Sequence, residues 1–389
     1  MLHTLLITIF WLSFAGVVYA YAGYPLSLFV LARWFGRRRP APAIPDQALP
    51  SVTLLVAAYN EADVIEARIK NAMAFDYPRE RLEILIATDG CDDGTNEIVA
   101  RYADQGVRLA AFFPRRGKSS VLNDAVPRAH GEILVFSDAN TMMASDAIRR
   151  LVRWFVDPEV GSVTGKLNLV DAETGRNADG LYWQYENFLK RAEARLEAVL
   201  GANGAIYALR RRLYSPIPGD TMIDDLTIPL LAKMRSGCRI LYDAEAVAHE
   251  ETAPDVAAEF KRRARIGAGG FQALSRLWPL LHPRFGWTAF AFLFHKVLRW
   301  VVPFLLLIML ASSAWLAVTR PAYAIVLSLQ LLFYATAWAA SGRPLTGVVG
   351  RGLRLMEMFT AMNLALLVGF GRWLRKPGSG AWVRTPRTA

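Results

Sequence analysis

The sequence predicts an α/β domain built on a mostly parallel sheet and flanked by transmembrane helices. Three observations carry this. Strand-like and helix-like segments alternate between residues 51 and 156, long charge-free apolar runs are confined to the two ends of the chain, and polar or acidic turns fall where successive strands should stop. At 53% apolar residues over 389 positions, the chain is high in apolar content for a wholly soluble protein.

The end segments come first. Residues 5–31 contain no charge and are long enough for a tilted span, and Arg33, Arg37, Arg38 and Arg39 follow at once. Ala20-Tyr21-Ala22 resembles a signal-peptide cleavage site, but no basic stretch precedes the apolar run and the run continues past it, so residues 1–39 read as an anchor. The arginines place the next domain, 40–270, in the cytoplasm. Residues 300–318 and 322–340 each read as a span, joined by Thr319-Arg320-Pro321 as a tight hairpin. A weaker segment, 355–370, holds Glu357 and Asn363 and is short, so 300–371 contains two or three transmembrane helices. If that segment crosses, the basic tail 372–389, with Arg372, Arg375, Lys376, Arg384 and Arg387, ends outside, against the positive-inside rule. Residues 271–299 mix apolar, aromatic and basic side chains, including His295, Lys296 and Arg299, as an interfacial segment does. The expected location is a multi-pass protein of the inner or plasma membrane.

The net charge of +11 is explained by basic residues beside membrane segments facing anionic headgroups, rather than by nucleic acid. Cys91 and Cys238 fall in the expected cytoplasmic domain, where a structural disulfide is not expected, and neither has the spacing of a zinc site.

In the middle domain, 40–50 reads as a linker, followed by strands at 51–58, 82–88, 107–112 and 132–137 and helices at 61–73, 93–102, 118–126 and 144–156. Such alternation implies right-handed crossovers and a ligand site at the carboxyl ends of the strands. The turns there are Ala57-Ala58-Tyr59-Asn60-Glu61, Thr88-Asp89-Gly90 and Ser137-Asp138-Ala139-Asn140. Asn60 or Asp93 alone could cap a helix and Asp138 could sit in an Asx turn, but three such turns on one sheet edge favour a polar ligand.

Asp138-Ala139-Asn140 spaces two oxygen-bearing side chains so that one turn can hold Mg²⁺ or Mn²⁺ on a diphosphate. Pro114-Arg115-Arg116-Gly117-Lys118 brings cations and helix amides towards the same cleft, a phosphate-binding arrangement that lacks the glycine spacing of a Walker loop. Asp224 and Asp225 open a helix, and two adjacent carboxylates exceed what capping needs. One of them could be a general base that deprotonates an acceptor hydroxyl attacking an anomeric carbon. A helix over 181–196 carries Tyr182, Trp183, Tyr185 and Phe188, a stripe that core packing would also explain.

The ordered series Ala57-Ala58-Tyr59-Asn60-Glu61, Thr88-Asp89-Gly90, Ser137-Asp138-Ala139-Asn140, Gly201-Ala202-Asn203-Gly204 and Ile223-Asp224-Asp225-Leu226 resembles the inverting family-2 glycosyltransferases of GT-A (Rossmann-like) fold. The likeness is strongest to the membrane-bound branch related to cellulose, hyaluronan and poly-N-acetylglucosamine synthases, and it covers about residues 50–270. It implies that Ala58, Tyr59, Glu61 and Asp89 form the nucleoside pocket and that Asp138 and Asn140 form the diphosphate-metal site, with Lys118 nearby. It also implies Asp225 as base with Asp224 before it, and Gly201, Asn203 and Gly204 on the acceptor side. Two departures stand out. Asn140 replaces a second carboxylate, and the Q-x-x-R-W motif of processive synthases appears as Arg262-Arg263-Ala264-Arg265-Ile266, which keeps the diphosphate-binding charge in Arg265 but loses the tryptophan platform.

The expected activity is inverting, metal-assisted hexosyl transfer from a nucleotide sugar, UDP-linked by family analogy, to a carbohydrate or lipid-linked acceptor. Exopolysaccharide or cell-envelope glycan synthesis is the expected setting, with envelope-polysaccharide assembly proteins as partners. Addition of one sugar to a membrane lipid stays open, as does a noncatalytic nucleotide-sugar-binding protein or a transporter.

Overall fold

The computed structural model describes residues 1–170, 181–251, 256–343 and 347–375. The tail from residue 376 and the side chains of Tyr182 and Trp183 therefore lie outside the described residues. The chain forms two compact units that interleave in sequence. One runs from Leu28 through the α/β domain and takes in Ser275–Ala291; the other holds Met1–Ser27, the helix Val256–Leu277 as far as Leu274, and the described chain from Phe292 to Arg375.

The α/β unit is organised by β1 (Val52–Ala58), β2 (Leu82–Asp89), β3 (Val107–Phe112), β4 (Ile133–Asp138), β5 (Met142–Met143), β6 (Val160–Val170), β7 (Tyr207–Arg210) and β8 (Arg239–Glu251). They form one sheet in the order β3-β2-β1-β4-β7-β6-β8-β5. Every residue of β1 is buried, which requires cover on both faces. Leu54, Val56 and Ala58 pack with Ile65 and Ile69 of the helix Ala62–Met73 on one face. Leu55 and Ala57 pack with Val121 and Leu122 of the helix Lys118–Ala125 on the other, as the period of two demands.

β1 pairs in parallel with β2 and β4, and β2 with β3. The register sets Ala57 beside Asp138 and Ala58 beside Thr88, so the polar turns after β1, β2 and β4 share one sheet edge. Beyond β4 the sheet is mixed: β7 runs antiparallel to β4 and β6, while β6 and β8 are parallel. The alternation in the sequence does not announce β6 or β8. Gly161 and Gly165 lower the strand signal of β6, yet both are required by close approach: an added Cβ would stand 2.4 Å from Cys238 Sγ at Gly161 and 2.5 Å from the Ala246 carbonyl at Gly165.

Among the described residues four helical stretches are long and apolar enough to cross a membrane: Leu2–Trp34, Trp287–Ala317, Pro321–Ala340 and Gly347–Leu374. The last extends past both ends of the predicted 355–370, and its 28 residues remove the objection of length. Gln330 donates to Ser313 Oγ at 2.9 Å, a polar tie between two of these helices.

Candidate active site

The first two turns are knitted together. Asn60 adopts a left-handed backbone (φ 52°) and exchanges two hydrogen bonds with Asp92: its amide nitrogen donates to the carboxylate at 2.7 Å, and its oxygen accepts from the Asp92 backbone at 3.1 Å. Asp93 accepts from the Ala62 and Thr95 amides at 3.0 Å each, so one carboxylate caps a helix in each of two separate loops. Partial burial opposes ionisation of Asp93, but the bonds from Thr95 and Ala62 prevail and hold its pKa below the usual carboxylate value. Glu61 is buried and donates its backbone N–H to Thr95 Oγ1 at 2.9 Å. Tyr59 is half-buried, and the Arg115 guanidinium stands 3.6 Å from its ring centroid.

Asp89 ends β2 fully buried. Its two oxygens accept from the backbone amides of Arg116 at 2.7 Å and Gly117 at 2.8 Å. This carboxylate thus anchors the Arg115–Lys118 loop over the sheet edge. Gly90 (φ +66°) permits it, since a Cβ there would lie 2.9 Å from the Arg115 nitrogen.

The same loop delivers Lys118, whose ammonium donates to Asp138 Oδ1 at 2.7 Å and stands 3.4 Å from Asp224 Oδ2. Burial alone would lower the lysine pKa, but Asp138 and Asp224 outweigh it and hold the group well above its ordinary range. Lys118 therefore stays charged and bridges the two carboxylates. Asp225 follows at the start of the helix Asp224–Ser236, its Oδ2 accepting from the Gly204 amide at 3.0 Å. Burial, and then the neighbouring Asp224 carboxylate, push Asp225 up to about 6, while Lys118 pulls the other way.

The Gly201-Ala202-Asn203-Gly204 turn is braced against this helix. The Ala202 amide donates to the Asp225 carbonyl at 2.8 Å, and Asn203 is fixed by Gly165 O at 2.8 Å, Thr164 Oγ1 at 2.9 Å and the Lys190 ammonium. Gly201 has φ +73°, and a Cβ there would stand 2.9 Å from Leu226 Cα. Gly201→Ala is thus expected to cost about 2 kcal/mol, read as a lower midpoint in thermal unfolding.

Asn140 donates its amide nitrogen to Glu250 Oε1 at 3.0 Å, and its own Oδ1 has no hydrogen bond among the described residues. Asp138 and Asn140 therefore offer the oxygen ligands that a hard divalent cation takes. Among the described residues no three His, Cys, Asp or Glu side chains could hold a metal by themselves, so a cation here would draw further ligands from diphosphate and water.

Sequence reasoning passed over three contributors. Arg68 is fully buried; burial lowers its pKa to about 10 and the Asp138 charge opposes that fall. Tyr207 stacks on Phe136 at 4.6 Å, and its buried hydroxyl has no hydrogen-bond partner among the described residues. Glu250, the third, comes from the end of β8. Arg262 and Arg265 lie on the helix Val256–Leu277, in the other compact unit.

The geometry is that of a polar cluster at the strand ends, with a raised carboxylate beside a cation-bridged acidic pair. Residues 50–269, more than half the chain, match the model of the Glycosyltransferase like family 2. The chain belongs to this family. It is a glycosyltransferase of GT-A fold: the mannosyltransferase PcManGT of Pyrobaculum calidifontis, solved with GDP-Man and Mn²⁺, superposes with a TM-score of 0.71 at 25% identity. That match covers 95% of this chain and 100% of the other. The poly-beta-1,6-N-acetyl-D-glucosamine synthase of Staphylococcus aureus (strain MSSA476) is 26% identical over 60% of this glycosyltransferase. The beta-monoglucosyldiacylglycerol synthase of Nostoc sp. (strain PCC 7120) is 28% identical over 66% of it. The chain spans 58% and 56% of the length of these two relatives.

Proposed function

We propose that this glycosyltransferase carries out an inverting transfer of a hexosyl unit from a nucleotide sugar to a carbohydrate or lipid-linked acceptor at the cytoplasmic face of a membrane. The observation that carries this reading is Asp225, a carboxylate raised to about 6 and aimed by the Gly204 amide beside the Lys118–Asp138–Asp224 cluster. Ionised at neutral pH yet more basic than an ordinary aspartate, it suits a general base. Asp225 takes the proton of the acceptor hydroxyl as that oxygen bonds to the anomeric carbon. The bond from this carbon to the diphosphate breaks, and its electron pair leaves with the nucleoside diphosphate. Asp224 holds Lys118 at the leaving-group side, and the loop anchored by Asp89 brings Arg115 over Tyr59, a place for the nucleoside. By family resemblance Arg265 is assigned to the diphosphate, Arg262 to the nucleotide-sugar donor, and Ala58 and Glu61 to the nucleoside pocket. Mg²⁺ or Mn²⁺ on Asp138 and Asn140 would neutralise charge on the departing diphosphate.

A UDP-sugar is the donor by resemblance to the synthase branch; a GDP-sugar is the second reading, favoured by the likeness to PcManGT. Nucleotide release measured across a panel of UDP- and GDP-sugars separates the two, and no release with any donor would overturn the reading as an enzyme. Chelation by EDTA is expected to lower turnover on the order of 10²-fold, restored by added Mn²⁺ or Mg²⁺; full turnover in EDTA would overturn the metal assignment. The kcat/KM profile is expected to rise through a limb near pH 6 as Asp225 ionises and to be flat above it. A polymeric ladder against a single added sugar, read by product mass, decides between polysaccharide synthesis and glycolipid formation.

A further inference from the structure

A cavity of about 590 Å³ lies in the α/β unit, lined by residues none of which serves the proposed transfer. Its walls come from the end of the helix Asp224–Ser236, the start of β8, the Leu196–Glu197 turn and the segment just before a membrane-crossing helix. The charges around it are unevenly satisfied. Glu197 sits in a left-handed backbone (φ 57°), held by Arg39 Nε at 3.0 Å and Arg239 Nε at 3.4 Å. Arg239 also binds Asp157 at 2.9 Å and Glu159, so the nearby carboxylates are all neutralised.

Two lining cations are left over. Arg212 is exposed and makes no ion pair among the described residues. Lys233 is 9% exposed, and among the described residues its ammonium makes one hydrogen bond, to the Cys238 carbonyl at 3.2 Å, although it carries three donors. Burial lowers the Lys233 pKa more than the Glu197 charge raises it, so an anion placed in the cavity would stabilise the ammonium. Phe285 and Trp287 give the lining an aromatic rim, and Trp287 is the first residue of the stretch Trp287–Ala317, long and apolar enough to cross a membrane. Phe35, which directly follows the stretch Leu2–Trp34, packs its ring 5.9 Å from that of Trp287. Two chain entries into lipid therefore meet at this rim, where aromatic residues favour the headgroup level.

We propose that this cavity binds the phosphate headgroup of an anionic phospholipid, with Lys233 and Arg212 on the phosphate and Phe285 and Trp287 against its glycerol and acyl portion. The site rests on the chain being membrane-embedded and is independent of which sugar is transferred, or whether one is. The test is calorimetric titration of the full chain, in a neutral detergent, with dihexanoylphosphatidylglycerol below its micelle concentration. Dihexanoylphosphatidylcholine and inorganic phosphate are titrated in parallel. Saturable binding of phosphatidylglycerol is expected, with phosphatidylcholine and inorganic phosphate at least about tenfold weaker, since the choline of the first sets a fixed cation beside Lys233 and Arg212 and the second lacks the apolar contact. Arg212→Glu, an exposed change that leaves the fold intact, and Lys233→Met, which keeps the aliphatic stem, are each expected to weaken binding about tenfold or more. Equal binding by wild type and Arg212→Glu would overturn the proposal. So would inorganic phosphate binding as tightly as the lipid, which would make this a free-anion site, or phosphatidylcholine binding as tightly as phosphatidylglycerol.

Discussion

Asp225→Asn is expected to lower kcat by about 10³-fold, within the range for removal of a positioned general base, with donor KM little changed. The amide keeps the shape of the carboxylate and can still accept from the Gly204 N–H, so the loop geometry survives while proton acceptance is lost. Stability separates this from unfolding. Because Asp225 is raised to about 6 in the folded chain, the unfolded chain gives up its proton first, and the fold loses stability as pH rises from the ordinary aspartate range through about 6. Above that pH wild type carries an ionised carboxylate that burial and Asp224 disfavour, and Asp225→Asn does not. The variant should therefore unfold at no lower temperature than wild type at pH 8. Turnover is checked by nucleotide release and stability by thermal unfolding on the same preparation.

The second large effect is expected at Asp138. Asp138→Ala removes the carboxylate that holds Lys118 at 2.7 Å and that is assigned to the donor's cation, so kcat/KM should fall on the order of 10²- to 10³-fold, with donor KM rising. The loss should not add to that of Lys118→Met. Lys118 is held between Asp138 and Asp224, so once Asp138 is gone its charge is no longer aimed, and the double variant should be little worse than Asp138→Ala. Initial rates of nucleotide release for the two single variants and the double variant measure this directly; full additivity would mean that the lysine acts elsewhere.

The legible and illegible parts of this site divide by range in sequence. Asp89 and Asp138 could be placed because each closes a short apolar run, and a run buried on both faces must be a central parallel strand whose end meets the ligand edge. Arg68 was also within reach: Ile65, Arg68, Ile69 and Ala72 follow helical spacing on the buried face of Ala62–Met73, so a charge in that stripe signals burial near a counter-charge. Glu250 was not within reach. It meets Asn140 across 110 positions through a strand whose partner β6 is weakened by two glycines, and nothing local marks it. The double cap by Asp93 is likewise half local: its bond to Thr95 follows from the sequence, but its bond to Ala62 depends on β1 and β2 being neighbours. β6 and β8 escaped the alternation for the same reason, since β6 pairs with β7 and β8 across long stretches of sequence.

The central claim is a single displacement with Asp225 taking the acceptor's proton, and stereochemistry tests it most directly. With an α-configured nucleotide sugar and water as the acceptor, proton NMR in the first minutes reports which anomer is released before mutarotation. Single displacement requires the β-anomer first, from wild type and not from Asp225→Asn; first release of the α-anomer would contradict the account.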